Sequence, residues 1–138
     1  MSSSDCIFCK IVSGRVPCNK IYEDEQVLAF LDVRPVSDGH TLVVPKAHFE
    51  KLHQCPQEVL SSISSCLGKI VQAVVAAAGA AGYNVLCNNG RAAGQLVDHV
   101  HFHIIPRNEG DNVFTHWPAY EYESGRADAI AEKICARL

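Results

Sequence analysis

The stretch His-Val-His-Phe-His-Ile-Ile at residues 99–105 places histidines at three alternate positions, His99, His101 and His103. Successive side chains of an extended strand point to opposite faces, so the three imidazoles are predicted to share one face. The apolar residues between them then share the other face and can pack into a core. Imidazoles suit phosphate chemistry or metal binding better than a core, so this strand is the predicted functional site.

Distances along a strand limit how these histidines can bind a metal ion. Residues two apart lie about 6.6 Å from each other, which lets two imidazoles share one ion. Residues four apart lie roughly 13 Å from each other, so His99 and His103 are not expected to hold the same ion. A catalytic metal held by all three histidines is therefore not predicted, and at least one of them is left for other work.

The same row suits nucleophilic catalysis at phosphorus. A neutral imidazole attacks through one ring nitrogen when the other holds its proton against a carbonyl or a carboxylate. Attack gives a covalent phosphoryl- or nucleotidyl-histidine, and flanking histidines can bind the phosphate oxygens and protonate the leaving group. The loop just upstream contains Gly90 and Gly94, whose backbone amides can approach an anion closely. Loop and histidine row together predict a phosphate site.

Hydrophobic periodicity predicts an α+β fold. Short apolar runs bounded by Pro, Asp or Gly predict strands at residues 27–31, 41–44 and 84–88. A wide apolar face predicts one long helix between Pro56 and Gly79, and weaker patterns predict a helical turn at residues 6–12 and a C-terminal helix at residues 124–138. The connections are too short for repeated parallel crossovers. We therefore expect a single domain over residues 1–138, built around an antiparallel sheet.

Composition argues against several kinds of partner. The formal net charge of −3 disfavours binding along a nucleic acid backbone, which needs a basic surface. No uninterrupted apolar run approaches the ~20 residues of a membrane span, so no membrane partner is expected. The first ten residues contain no apolar stretch of the signal-peptide kind. These features predict a cytoplasmic protein, with access to the nucleus left open.

Two of the seven cysteines have the spacing of a metal-binding pair. Cys6 and Cys9 form a C-x-x-C, which suits two thiolate ligands of one zinc ion, and His48 and His99 are available to complete a tetrahedron. A redox C-x-x-C normally follows a strand, and none precedes Cys6. Simple buried thiols are the remaining alternative. An odd number of cysteines in what looks like an intracellular protein argues against a disulfide framework.

The run at residues 99–105 matches the pattern of the histidine-triad family, in which three histidines alternate with apolar residues. Further segments resemble the Hint branch of that family in the same order, namely CIFCKIVSGRVPCNKIYEDEQVLAFLD, GHTLVVPKAH, NNGRAAGQ and THWP. The resemblance implies a HIT-like fold and a homodimer whose antiparallel sheet continues across both subunits. It also implies binding of purine nucleoside monophosphates and hydrolysis of their phosphoramidates, such as adenosine 5'-phosphoramidate or AMP joined to a lysine amine.

By motif position, the resemblance assigns catalytic roles to three histidines. His101 would be the nucleophile, and water would resolve its nucleotidyl-histidine intermediate. His103 and His40 match the histidines that surround the phosphate. Without the resemblance, His40 would carry no clear assignment.

The resemblance also implies a nucleotide pocket. Asn88 and Gln95, beside Gly94, match positions of the phosphate loop, and Asp32 matches the carboxylate that holds the ribose hydroxyls. The apolar walls of the base pocket would be Ile7, Phe8, Phe30, Val33 and Leu42. From the residues alone, Asp32 could equally be a turn residue, and most of the apolar set could be ordinary core.

Zinc-bearing Hint-like proteins hold the metal with two cysteines, the histidine of Pro-Lys-x-His and the first triad histidine. The corresponding ligands here would be Cys6, Cys9, His48 and His99. Four protein ligands leave no open position for water, so the implied zinc is structural.

Leu96 departs from the Hint pattern, which commonly has a serine that assists the leaving group at this position. Leucine cannot donate a hydrogen bond, so the resemblance leaves slow turnover open, although His103 can still deliver the proton. A nucleotide-binding interaction protein with vestigial activity therefore stays open beside the phosphoramidase. A dinucleoside polyphosphate hydrolase of the Fhit type also stays open, because it shares the triad. Whether His116 and Trp117 reach a partner's site does not follow from the sequence.

Overall fold

Five antiparallel strands form one sheet in a computed structural model that describes residues 3–114 and 116–138. The strands are β1 Lys20–Glu23, β2 Val27–Leu31, β3 Thr41–Pro45, β4 Gly82–Leu86 and β5 Phe102–Arg107, and their order across the sheet is β1-β2-β3-β5-β4. This confirms the predicted α+β class. The predicted domain range 1–138 and the motif THWP at 115–118 each include positions outside the described residues.

Three α-helices accompany the sheet within the part of the chain that the structure describes. They are α1 Ile7–Val12, α2 Gln57–Ala78 and α3 Arg126–Cys135, with single 3₁₀ turns at Leu52–Gln54 and Arg91–Ala93. Pro56 immediately precedes α2, and Gly79 ends it with φ +60°, a left-handed conformation that glycine adopts without strain. The long helix and the C-terminal helix thus lie where the sequence predicts them, each slightly shorter at its ends.

Both faces of the sheet are covered, because side chains alternate along the central strands. Val27, Ala29 and Val43 face α2 and pack against its buried side chains, Val59, Ile63, Cys66, Ile70, Val71 and Val74. The alternate residues Leu28 and Phe30 face the other side, where they pack with Phe8 of α1. Burying a side chain of this size stabilises the fold by about 1.5–3 kcal/mol, so Phe8, with Ile11 and Val12 beside it, ties α1 to the sheet.

By length and composition, α2 is apolar enough to cross a membrane. No membrane span is predicted from the sequence, because serines and other polar residues interrupt every apolar run. The helix has one face packed on the sheet and polar residues such as Ser61, Ser64 and Ser65 exposed on another. A core helix of this kind meets the same criterion of length and composition.

One strand is absent from the prediction, and the bounds of another differ from it. β1 is not predicted, since the residues Lys20–Glu23 carry only a weak alternation; it forms because its backbone pairs with β2 at the edge of the sheet. β4 covers residues 82–86 and not 84–88, because its pairing with β5 ends at Leu86 opposite His103. Cys87 and Asn88 therefore belong to the following loop.

The prediction that all three histidines lie on one strand is wrong. β5 begins at Phe102, so only His103 is a strand residue. Upstream, the backbone N–H of Val100 donates to the carbonyl of Phe49 at 2.7 Å, and residues 97–99 form a bend. His99 and His101 both contact Phe8, but only His101 and His103 line the cavity described below.

The C-terminal segment lies on the surface. None of the side chains of α3 is buried, and Trp117 is 90% exposed. The predicted apolar side of this helix, which includes Ile130 and Ile134, is therefore uncovered in the single chain.

Candidate functional site

A cavity of about 320 Å³ opens between α1, the β2–β3 connection and the histidine segment. Its lining includes Ile7, Phe8, Phe30, Val33 and Leu42, all of which the resemblance places in a base pocket. Asp32, His101 and His103 supply its polar side. An apolar slot with a few convergent polar groups is typical of a site for a small organic ligand.

Aromatic edges shape the inner wall of this cavity. The ring of Phe8 meets Phe30 edge-on at a centroid distance of 5.6 Å and meets His101 edge-on at 5.1 Å. Val33, by contrast, is almost fully exposed at the rim. Three of the five predicted wall residues, Phe8, Phe30 and Leu42, are therefore buried, whereas Ile7 and Val33 are exposed at the entrance.

His101 is held as a neutral imidazole with one free nitrogen. It is 5% exposed, and its Nδ1–H donates to the backbone carbonyl of His99 at 2.6 Å. The lone pair therefore remains on Nε2. Burial lowers the pKa of His101, although the hydrogen bond to His99 acts in the opposite direction. These are the properties of an imidazole that is ready to act as a nucleophile.

A chain of hydrogen bonds runs from the backbone N–H of Val36 through His40 to His103. The backbone N–H of Val36 donates to Nδ1 of His40 at 3.2 Å, so the proton of His40 resides on Nε2. His40 Nε2 lies 2.9 Å from Nδ1 of His103 and donates to it. The proton of His103 therefore resides on its own Nε2, and His103 is a hydrogen-bond donor on the cavity side. Burial lowers the pKa of His103 to about 4, which keeps the ring neutral.

Asp32 lies beside this chain of histidines. One carboxylate oxygen is 3.7 Å from Nε2 of His40, and the other accepts the backbone N–H of Arg34 at 2.9 Å. Asp32 is thus both a turn residue and a lining residue of the cavity. Burial lowers the pKa of His40, and the charge of Asp32 only partly offsets that effect.

Asp32, His40 and His103 also stand close enough to one another to form a candidate metal site. The hydrogen bond from Val36 argues against this use, because it leaves the proton of His40 on Nε2. A protonated ring nitrogen has no lone pair for a metal ion. We therefore assign this group to hydrogen bonding.

The glycine loop is held from within by Gln95. Its side-chain oxygen accepts the N–H of Gly90 at 2.7 Å, and its amide nitrogen donates to the carbonyls of Glu50 and Val97 at 2.7 and 3.1 Å. Gln95 is buried and does not line the cavity. Its position fits a residue that shapes the phosphate loop, and these three bonds engage both ends of its amide.

Gly94 and Asn88 meet on the other side of the loop. Gly94 has φ +87°, and a Cβ atom there would lie 3.6 Å from the amide nitrogen of Asn88. Gly94 lines the cavity, whereas Asn88 and His40 do not. Sequence reasoning missed Pro17 and Cys18, which also line the cavity; they lie in the loop after α1 and carry no local signal of that role.

Four ligand atoms converge at a second centre, on the opposite side of His99 from the cavity. Cys6 Sγ lies 3.5 Å from His99 Nδ1, and Cys9 Sγ lies 3.4 Å from His48 Nδ1 and 3.6 Å from His99 Nδ1. The two Nδ1 atoms are 3.2 Å apart. A tetrahedral zinc ion with ordinary bond lengths has S–N edges of about 3.6 Å and an N–N edge of about 3.3 Å. The residues present therefore fit a tetrahedral Cys₂His₂ metal ion.

His99 is oriented for ligation by a backbone group. Its Nε2 lies 2.8 Å from the carbonyl oxygen of Pro45 and donates to it, which leaves the lone pair on Nδ1. Burial also lowers the pKa of His99 to about 4. The Nδ1 lone pair of this neutral ring is directed at two sulfurs and a second imidazole, as in a metal ligand.

Comparisons with known proteins agree with this geometry. The family profile of the HIT domain matches residues 13–110. An adenosine 5'-monophosphoramidase of Schizosaccharomyces pombe is 46% identical over 134 residues, which cover 96% of this chain and 98% of that protein. The crystal structure of a HIT family member from Bacillus subtilis matches with a TM-score of 0.90 at 41% identity and covers 97% of both chains. A Zn-bound histidine triad family protein from Mycobacterium smegmatis matches with a TM-score of 0.75 at 35% identity, over 99% of this chain and all of that one. The chain belongs to the HIT family.

Proposed function

We propose that this protein hydrolyses purine nucleoside phosphoramidates of the AMP-NH₂ or AMP-lysine type, with His101 as the nucleophile. The observation that carries the proposal is the 2.6 Å hydrogen bond from Nδ1 of His101 to the carbonyl of His99, which leaves Nε2 free in a cavity of nucleoside size. The relative from Schizosaccharomyces pombe, which bears the name of this activity, supports the choice of substrate.

The first chemical step forms one bond and breaks one. The Nε2 lone pair of His101 attacks phosphorus, and the electron pair of the P–N bond passes to the leaving amine, which takes up one proton from solvent. Nδ1 keeps its proton against the carbonyl of His99, so the charge that develops on the ring is stabilised. The Nε2–H of His103 donates a hydrogen bond to the phosphoryl group or the leaving nitrogen.

Water then resolves the nucleotidyl-histidine. Its oxygen attacks phosphorus, the electron pair of the bond between phosphorus and His101 returns to Nε2, and one proton of the attacking water is released. This release balances the solvent proton that the leaving amine took up in the first step. AMP and a free amine are the products. The resemblance places the ribose hydroxyls on Asp32, whose carboxylate borders the cavity beside His103.

Purified protein and its His101→Ala variant, incubated with adenosine 5'-phosphoramidate, test the proposal by AMP release. Only the wild type should release AMP. His53→Ala is the matched control, because His53 is exposed on the 3₁₀ turn at Leu52–Gln54 and should leave the rate unchanged. Equal release by wild type and His101→Ala would refute the nucleophile assignment. Diadenosine triphosphate as a competing substrate separates the phosphoramidase from an Fhit-type hydrolase.

A nucleotide-binding protein with vestigial activity is the second candidate, and Leu96 favours it. This side chain lines the cavity, is 82% exposed and offers no hydrogen bond to a leaving group. Under this alternative, calorimetric titration shows AMP binding while the wild type releases no product from either substrate.

Zinc is the metal that we propose for the centre formed by Cys6, Cys9, His48 and His99. The fit of the four ligand atoms to a tetrahedron supports it, as does the Zn-bound relative from Mycobacterium smegmatis. A bound zinc ion would cross-link these ligands and has no open position for substrate. Elemental analysis should find one zinc per chain, and a Cys6→Ser, Cys9→Ser variant should have none.

A homodimer with a shared sheet is proposed on the exposure of β4. This strand is at the sheet edge, with Tyr83 52% and Val85 38% exposed, and an open groove runs between it and α2. Gly68 on α2 has nothing within 4 Å of its Cβ position, which leaves room for a close neighbour. Light scattering should give twice the chain mass, and Val85→Lys should give a monomer. Val36→Lys, in the connection between β2 and β3, is the control and should stay dimeric.

A further inference from the structure

One short segment near the N-terminus contributes to both centres. Cys6 and Cys9 belong to the four-ligand centre, whereas Ile7, Phe8 and Ile11 line the cavity. Neighbouring side chains of the same helical turn therefore face two different sites. Any displacement of the two sulfurs also displaces the apolar wall of the cavity.

α1 has few other means of holding its position. It is six residues long and has no side-chain cap at its N-terminus. A helix of two turns is not stable by itself in water. Phe8, Ile11 and Val12 pack against the core on one side of the sheet, and Cys6 and Cys9 add polar side-chain contacts with the two histidines.

His99 is the second element that links the four-ligand centre to the cavity, beside the N-terminal segment. Its ring belongs to the four-ligand centre, and its carbonyl oxygen holds the Nδ1 proton of His101. The ring of Phe8 contacts both imidazoles edge-on, with centroids 5.9 Å from His99 and 5.1 Å from His101. The position of His99 therefore bears on the tautomer and orientation of the proposed nucleophile.

We infer that the metal centre and the nucleotide cavity are thermodynamically coupled, so that a filled Cys6–Cys9–His48–His99 centre raises the affinity for a nucleoside monophosphate. The inference rests on the proposed function, since it takes AMP as the ligand of the cavity. Linkage requires the effect to be reciprocal: AMP must tighten metal binding by the same factor. Coupling through two shared elements is expected to reach roughly tenfold, within the usual range for coupled sites.

AMP affinity is measured by calorimetric titration of zinc-loaded protein, chelator-treated protein and the Cys9→Ser variant. The dissociation constant should rise about tenfold in the last two, and circular dichroism should show their helix content retained. Cys135→Ser is the matched control: Cys135 is exposed at the end of α3, and its loss should change neither zinc content nor AMP affinity. Equal AMP affinity of the zinc-loaded and metal-free proteins would overturn the coupling.

The reciprocal measurement keeps the test valid if the metal-free protein unfolds. Zinc-loaded wild type is equilibrated with increasing concentrations of a chelator, with and without saturating AMP, below the melting temperature, and the zinc that stays bound is measured. AMP should raise the apparent zinc affinity about tenfold, whereas inorganic phosphate should not. Identical zinc affinity with and without AMP would overturn the inference. Cobalt in place of zinc gives a further readout, because AMP should perturb its thiolate absorption bands.

The two proposals fail in different ways. Zinc-loaded protein that binds AMP with unchanged affinity after metal removal leaves the proposed function intact and removes the coupling. Zinc-loaded protein that does not bind AMP removes both.

Discussion

The Nε2–H of His40 donates to Nδ1 of His103 across 2.9 Å, and this contact fixes which nitrogen of His103 carries a proton. The direction of the bond is set one step earlier, by the backbone N–H of Val36 on the far side of the His40 ring. A main-chain amide in the loop between β2 and β3 thereby determines that His103 presents N–H, and not a lone pair, to the cavity. This arrangement requires no net charge on either ring.

Replacing His40 should impair turnover more than binding. In His40→Phe the ring of His103 loses its donor and can adopt the other tautomer, so kcat should fall by about 10²-fold while the affinity for AMP changes little. His40→Gln places an amide N–H near the original Nε2 position and should restore part of the rate. Steady-state kinetics with adenosine 5'-phosphoramidate measure both. A loss confined to KM, or no difference between the Phe and Gln variants, would contradict the tautomer argument.

Acid should destabilise the fold through His103. Its pKa is about 4 in the folded protein and near the ordinary 6.5 in the unfolded chain. Between these values the unfolded chain binds more protons, so the free energy of unfolding falls as the pH drops from about 6.5 to about 4, and the contribution is complete above 6.5.

Urea unfolding of zinc-loaded protein at pH 5 and pH 8 measures this effect. His103→Asn should lose less stability between the two pH values than the wild type does. The exposed histidine variant His53→Asn should behave as wild type. Parallel losses in wild type and His103→Asn would show that other groups cause the acid sensitivity.

Gly39 should tolerate no side chain. It has φ +87°, and a Cβ atom there would lie 3.3 Å from Cγ of Pro106 and 3.4 Å from Cβ of Ala78. Gly39→Ala therefore combines backbone strain with a tight contact against Pro106 of β5, and it should lower the free energy of unfolding by about 2–3 kcal/mol. Gly14→Ala is the control, because Gly14 has φ +77° with open space around it and should lose only about 1 kcal/mol. Equal losses in thermal or urea unfolding would mean that the tight contact is relieved by small shifts.

Leu96→Ser should raise the turnover of phosphoramidates. The side chain lies at the entrance of the cavity and is largely exposed, so serine there causes no packing loss and supplies a hydroxyl donor. One added hydrogen bond to the leaving group corresponds to an increase in kcat of about tenfold. Leu96→Ala removes the same bulk without adding a donor and should stay near the wild-type rate. If Ala and Ser raise kcat equally, the effect of leucine is steric.

Strong, local patterns made most of the fold predictable. β2, β3 and α2 are marked by apolar runs or a periodic apolar face with clear stops at Pro56 and Gly79. β1 lacks such a pattern, because only Ile21 and Tyr22 are apolar and the strand depends on backbone pairing with β2. Edge pairing is a tertiary effect that local propensity does not report. The single-domain range and cytoplasmic residence stay predictions.

The resemblance names the candidate site residues. Only part of their division between the metal centre and the cavity can be predicted from the sequence. Spacing along an ideal strand correctly separates His99 from His103, yet it assumes a straight segment. The bend depends on a hydrogen bond between Val100 and Phe49, which lie far apart in sequence. The protonation pattern of His40 and His103 likewise depends on Val36, whose backbone carries no signal in the sequence.

The bend at residues 97–99 makes the histidine segment intolerant of any shift in register. Moving the chain by one residue would bring Val100 to the sulfurs of Cys6 and Cys9 and Phe102 to the position of the nucleophile, so both centres would be lost in one event. A single inserted or deleted residue between His99 and His103 is therefore expected to be more damaging than most substitutions there. To transplant either centre to another scaffold, residues 99–103 would have to be moved as one unit. The carbonyl of Phe49, which accepts the hydrogen bond from Val100, would have to be moved with them.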